Sequence, residues 1–355
     1  MNRDYSDGKK VTVIGAAVVD IMAGPVDKSL FDKGSVPAEN MGISCGGDAL
    51  NESVILSKLG MDTELVTLVG NDGASEMIFK CLRDNGISAD KVAVDEGIVT
   101  GTNIVLVDGD GERSFITNPV SSLRKLSKEP ILAHVDDMGD IVSFASIFVS
   151  PMLKVEDMAE VFAKIKEKPG RILVADMTTA KNGEKIGDLE PILKYIDYII
   201  PNEKEAMLLT GEADPEAAAR SFIEHGAKCV IIKCGKKGCL YARADGALGQ
   251  GSNADGAVSR SNADAALGKG SNADGDGSRS NADSIEMGSV AAFPAKVIDT
   301  TGAGDSFVAG FIYGLAGGNS LADCCRLGCA VASIVVEHLG TQGFDLDLKE
   351  LNLPN

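Results

Sequence analysis

The chain has 355 residues, 44% of them hydrophobic, which is enough apolar content to fill the core of one large domain. A formal net charge of -18 and a pI near 4.6 set it against nucleic-acid phosphates and anionic lipid, both of which bind clustered Lys and Arg. The eight cysteines (Cys45, Cys81, Cys229, Cys234, Cys239, Cys324, Cys325 and Cys329) form no C-x-x-C pair, Met1 to Lys10 carry no apolar signal core, and no run reaches membrane-span length, so a cytoplasmic protein with reduced thiols is expected.

From the N-terminus, Val11-Thr12-Val13-Ile14 reads as a buried strand. The following Gly15-Ala16-Ala17-Val18-Val19-Asp20 lacks G-x-G-x-x-G spacing, which argues against a dinucleotide fold. Further buried strands are expected at Glu64–Val69, Ile147–Val149, Ile172–Ala175, Tyr198–Ile200 and Cys229–Lys233. Helical patterns run between them at Asp48–Leu59, Ser75–Arg83, Val155–Lys166, Glu203–Leu209 and Pro215–Glu224, the last with Asp214 as N-cap and Pro215 in its first turn. Such alternation predicts an α/β fold, a mostly parallel central sheet covered by helices on both faces. Strand-like segments with Gly and Asp turns break the rhythm at 21–45 and 101–117, and they are expected to form a small β-sheet lid over the C-terminal edge of the main sheet.

Between 245 and 283, Ser-Asn-Ala-Asp recurs at Ser252, Ser261, Ser271 and Ser280. Residues this small and polar bury too little apolar area to offset backbone ordering, so the insert reads as a flexible loop within a single domain spanning 1–355. Its flanks, Gly238–Arg243 and Ile285–Val290, read as the two strands of a hairpin.

Beyond the insert, Lys296-Val297-Ile298 reads as a strand, Asp299-Thr300-Thr301-Gly302-Ala303-Gly304-Asp305 as a glycine turn, and Phe307–Leu315 as a helix. Glycines let backbone N–H groups approach a ligand closely, and the positive end of a helix favours phosphate there. Asp305 at the end of that turn is placed to take the proton from an attacking alcohol, while the backbone of Gly302, Ala303 and Gly304 stabilises charge on a transferred phosphoryl group. No Walker-A sequence and no protein-kinase motif set is present.

With that run, Gly46-Gly47-Asp48-Ala49-Leu50-Asn51 and Asn202-Glu203-Lys204-Glu205, the chain resembles the ribokinase/PfkB family of carbohydrate kinases over nearly its whole length apart from the insert. The resemblance implies a ribokinase-like three-layer fold and ATP and Mg2+ as co-substrate and cofactor. It also implies sugar contacts from Asp20, Gly46, Gly47 and Asn51, and an Asn202–Glu205 pair that organises magnesium through water and the nucleotide phosphates. Lys233, Gly235, Gly238 and Cys329 are expected on the nucleotide side, and Asp299 and Thr301, with the Gly340-Thr341 loop, at a monovalent-cation site that would take potassium.

Arg113, in a segment resembling the lid of fructokinase-like members, is a candidate substrate contact or an edge-strand surface residue. Ser150 is the one polar group near the expected sugar pocket in Phe148–Met152. No dense Lys and Arg cluster for a substrate-borne phosphate is evident, so the expected substrate is a small neutral sugar, fructose- or ribose-like, phosphorylated on a primary hydroxyl. A nucleoside kinase of the same family and a non-catalytic ligand-sensing relative stay open as alternatives, as does a homodimer.

Overall fold

The computed structural model describes residues 8–109, 112–244 and 285–346, apart from the side chain of Arg113; the Ser-Asn-Ala-Asp insert thus lies outside the described residues. Thirteen strands are present among them: β1 Lys10–Ile14, β2 Val18–Gly24, β3 Asn40–Gly46, β4 Asp62–Val69, β5 Val92–Val94, β6 Thr102–Val107, β7 Arg113–Thr117, β8 Ile141–Ile147, β9 Ile172–Met177, β10 Tyr198–Ile199, β11 Cys229–Lys233, β12 Cys239–Ala244 and β13 Ile285–Val290. The helices are α1 Ser29–Lys33, α2 Asp48–Lys58, α3 Gly73–Asp84, α4 Lys128–Leu132, α5 Val155–Ile165, α6 Glu190–Leu193, α7 Glu203–Thr210, α8 Pro215–Glu224, α9 Ala303–Ala316 and α10 Leu321–Val335.

Nine strands form one sheet in the order β13-β12-β11-β10-β9-β8-β1-β4-β5. It is parallel from β5 to β11, and β12 and β13 are antiparallel. Alternation along each strand sends side chains to two cores: Val11, Val13, Ile141, Ala145 and Ile231 pack with α2, α3, α9 and α10 on one face. Ile14, Val142, Phe144, Val230 and Ile232 pack with α5, α6, α7 and α8 on the other. Three layers result, with crossover connections carrying the chain between parallel neighbours.

The expected hairpin flanking the insert is present, with Cys239 opposite Val290 and Ala244 opposite Ile285. The two irregular segments pair as a separate four-stranded sheet, β3-β2-β6-β7. Asp20 lies opposite Ser44 and Asn103 on one face; Ile43, Ile21, Ile104 and Ile116 form a row across all four strands on the other.

Two expected strands are corrected. The strand expected at Ile147–Val149 instead runs from Ile141 to Ile147 and stops where Phe148 takes φ 73; Ser143 and Ser146 had diluted its apolar pattern. Lys296–Ile298 is not a strand, and Val297 and Ile298 are exposed. The segment is pinned instead to the end of α10, with the N–H groups of Ile298 and Asp299 both donating to the Val336 carbonyl.

Candidate active site

Gly302 has φ 71 and ends the turn; α9 starts at the next residue, which sets Asp305 in its first turn. The first N–H groups of a helix have no acceptor one turn back, so this end presents donors and a positive dipole. Gly302, Gly304 and Asp305 line a cleft of about 400 Å³ between the small sheet and the C-terminal edge of the large one. A Cβ at Gly302 would lie 2.4 Å from Thr341 Cγ2, so glycine is needed for contact with the 341 loop as well as for the turn.

Asp305 is held from α2. Asn51 Nδ2 donates to Asp305 Oδ2 at 2.8 Å, and Thr341 Oγ1 donates to Asn51 Oδ1 at 2.9 Å, which fixes the amide's orientation. Burial pushes the Asp305 carboxyl up to about 8; Asp48 and Asp176 push the same way, and Asn51 and Lys233 oppose them. Asn51, expected to hold sugar hydroxyls, lines the cleft and bonds both Asp305 and Thr341.

Asp20 is on the lid wall of the cleft, where Asn103 Nδ2 donates to its Oδ1 at 2.8 Å; the buried Asn103 Oδ1 has no partner among the described residues. Gly46 lets that carboxylate lie against the backbone, since a Cβ there would be 2.5 Å from Asp20 Oδ2. Gly47, φ 95, is in the cleft wall too, and its missing Cβ makes room for the backbone of Ala16.

Behind the glycine turn, Lys233 Nζ pairs with Asp176 Oδ2 at 2.5 Å and would be 3.3 Å from a Cβ on Gly304. Asn202 and Glu205 form a reciprocal capping box on α7, each accepting from the other's N–H at 2.9 Å. Burial pushes Glu205 up to about 7, with Asp176 and Asp48 adding to the rise. Burial raises Asp48 and Asp176 as well. Carboxylates thus outnumber ammonium groups around Lys233. No group of three or more His, Cys, Asp or Glu among the described residues could hold a metal by itself. Such a donor set fits a hard dication that keeps waters and phosphate oxygens as most of its ligands.

Asp299 joins the glycine turn to the loop after α10: Oδ1 accepts from the N–H and hydroxyl of Thr301, and Oδ2 accepts from Gly340 N–H at 3.0 Å. The two segments implied as halves of a monovalent-cation site therefore meet.

The pfkB family carbohydrate kinase model matches residues 8–253 and 276–347. The chain belongs to this family. An uncharacterized sugar kinase of Archaeoglobus fulgidus is 27% identical over 291 residues, spanning 81% of this chain and 96% of that protein. Arabidopsis thaliana ribokinase, solved with ribose and ATP, shares the fold with a TM-score of 0.70 at 23% identity, covering 94% of each chain. A putative ribokinase II from E. coli, solved with ATP and Mg2+, gives a TM-score of 0.68 at 22% identity over 96% of this chain and 97% of that one. The protein is a sugar kinase of the ribokinase-like fold, a phosphotransferase whose acceptor is a sugar hydroxyl.

The other expected contacts lie in the turn after β11, in the small sheet and in the core. Cys329 is buried in the core with its Sγ 4.0 Å from Cys239 Sγ and shows little surface for a nucleotide contact. Gly238 closes the turn between β11 and β12, where a Cβ would be 1.9 Å from the Val290 carbonyl; Gly235, φ 55, opens the same turn. Ser150 turns away from the cleft and donates to the Leu126 carbonyl at 2.7 Å. Arg113 opens β7, and its side chain lies outside the described residues.

Sequence reasoning passed over Asp48, Asp176, Asn103, Arg124 and Lys181. Asp176 had a signal, a lone carboxylate within the apolar run Ile172–Met177 at the ligand-binding end of its strand. Arg124 and Lys181 had none, because each is an ordinary charged residue until the fold brings both to the cleft.

Proposed function

We propose that the kinase transfers the γ-phosphoryl group of ATP directly to a primary hydroxyl of a small sugar, with Asp305 as the base. The observation that carries this is the Asn51–Asp305 hydrogen bond at the first turn of α9, on the wall of a cleft of substrate size. The acceptor hydroxyl loses its proton to Asp305 Oδ as its oxygen bonds to the γ-phosphorus; the bond to the β-phosphate oxygen breaks and ADP leaves. The carboxylate pushed up to about 8 is a stronger proton acceptor than an ordinary aspartate and must be ionised to act. Gly302 and Gly304 present N–H groups to the charge spreading over the phosphoryl oxygens, whereas the Ala303 N–H, expected to join them, donates to the Thr300 carbonyl at 3.3 Å.

Asp20 and Asn103 orient the acceptor in this reading, and a sugar hydroxyl donating to Asn103 Oδ1 would satisfy that buried atom. Magnesium would be held through water by Glu205 beside the phosphates, where it neutralises their charge. Potassium, if it activates the kinase, would act at the Asp299–Gly340 junction. A homodimer would use the outer face of the small sheet, where Met41, Ile43, Ile104 and Ile116 are exposed in a charge-free patch.

Asp305→Asn tests the assignment of the base. ATP-dependent sugar phosphorylation should fall about 10²- to 10⁴-fold with the fold intact; a rate near that of the parent would refute it.

A further inference from the structure

Two cationic side chains in the cleft have no task in phosphoryl transfer as described above. Arg124 follows the small sheet in the turn Ser122–Arg124, and Lys181 is in the loop after β9; both line the cleft that holds Asp20 and Asp305. Arg124 Nη1 donates to the Val149 carbonyl at 3.1 Å, which anchors the guanidinium and leaves its other donors unassigned. Among the described residues neither cation is bridged to a carboxylate. Arg124 is close enough to disfavour the charge on Lys181: burial lowers the Lys181 pKa, Arg124 lowers it further, and Asp48 opposes both. Two like charges facing one cleft, with Asp48 acting on Lys181 only at a distance and no direct ion pair to either among the described residues, cost stability that a ligand anion would relieve.

Resting on the kinase reading above, we propose that the acceptor is a sugar acid, whose carboxylate is bound between Arg124 and Lys181 while Asp20 and Asn103 orient its hydroxyls and Asp305 faces the one phosphorylated. The cleft wall also carries Asp20, Asp48 and Asp305, so two cations match a singly charged carboxylate better than a doubly charged phosphate ester. The sequence offered no basic cluster because the two residues come from separate loops. On this proposal the acceptor is acidic rather than the neutral sugar expected from the sequence.

The test uses the full chain with ATP and Mg2+ and matched acceptors differing only at C1: gluconate against glucitol, and 2-ketogluconate against fructose. ADP release gives kcat/KM for each. The acid of at least one pair should be preferred, and Lys181→Met should reduce that preference about tenfold or more, the usual weight of a charge-assisted contact. Arg124→Met should do the same, with Lys181→Met as the safeguard if loss of the Val149 contact unfolds the chain. Preference for the neutral partner in both pairs overturns the proposal. So does an equal loss on acid and neutral acceptors, which would assign the cations to the phosphoryl group. If no acceptor releases ADP, the kinase reading has failed. Calorimetry then decides the subsite separately: gluconate binding weakened by Lys181→Met supports it, and equal binding of gluconate and glucitol overturns it.

Discussion

Replacing Asn51 with leucine, close to it in size, would remove the one side-chain donor shown reaching Asp305 while keeping the packing of α2. A hydrogen bond to a charged acceptor is worth about 1.5–3 kcal/mol, and it favours the ionised carboxylate. At about 1.4 kcal/mol per pKa unit, its loss would raise the Asp305 pKa by about 1–2 units from the value of about 8 set by burial and neighbouring acids. The base works ionised, so the acidic limb of kcat/KM against pH should move upward by that amount. Near pH 7 the variant would then lose about 10- to 100-fold in rate, and much of the loss would return above the new limb. Asp48→Asn should move the limb the opposite way, because it removes the largest neighbouring negative charge acting on Asp305. The assay is ADP release against pH at subsaturating acceptor with ATP and Mg2+ saturating. A uniform loss at every pH, or a raised acceptor KM with the limb unmoved, would refute the reasoning and return Asn51 to the sugar contact that the sequence suggested.

Two further outcomes follow from the same geometry. Asp305 and Glu205 have folded-state values of about 8 and about 7, above those of an unfolded chain, so the folded protein holds more protons between about pH 4 and pH 8. Their stabilising contribution is complete below the unfolded values and is lost as pH rises through the folded ones; the ligand-free melting temperature should therefore fall from pH 5.5 to pH 8.5, and Asp305→Asn should flatten that fall, whereas equal slopes for variant and parent would contradict it. If the exposed isoleucine row joins two chains, the parent should scatter light at twice the chain mass and Ile43→Asp should give the monomer mass; a parent monomeric at tens of micromolar would remove the dimer.

Much of the scaffold was legible because local chemistry and tertiary demand agree. The 203–209 helix begins where Asn202 can cap it, and the 215–224 helix begins at an Asp-Pro pair, so the chain states those boundaries within four residues. The failures lie where a long-range partner decides. Nothing within the segment 296–298 reveals that the Lys296 N–H is taken by the Glu337 carboxylate and the Ile298 N–H by the Val336 carbonyl at the end of α10. Serines within β8 hid a strand whose polarity is absorbed far away, Ser143 donating to the buried Glu52 of α2 at 2.6 Å.

The site divides in the same way. Asp305 and its glycines could be read because backbone conformation, helix polarity and chemistry all act within seven consecutive residues. Asn51 was recognised as a site residue, but its bond to Asp305 could not be foreseen, since it spans 254 residues of sequence. Charge is harder still to locate. A carboxylate near pKa 8 exists because the fold buries Asp305 in one desolvated space with Asp48 and Asp176, from separate elements, against the opposing charge of Lys233. The same reasoning applies to the acceptor. A candidate hydroxyl-binding group such as Asp20 announces itself near a motif, whereas the proposed charge preference is a sum over loops, and Arg124 with Lys181 enters that sum only once the cleft is folded. In this fold, therefore, the reaction is written in a local motif and the choice of acceptor in the assembly of its walls.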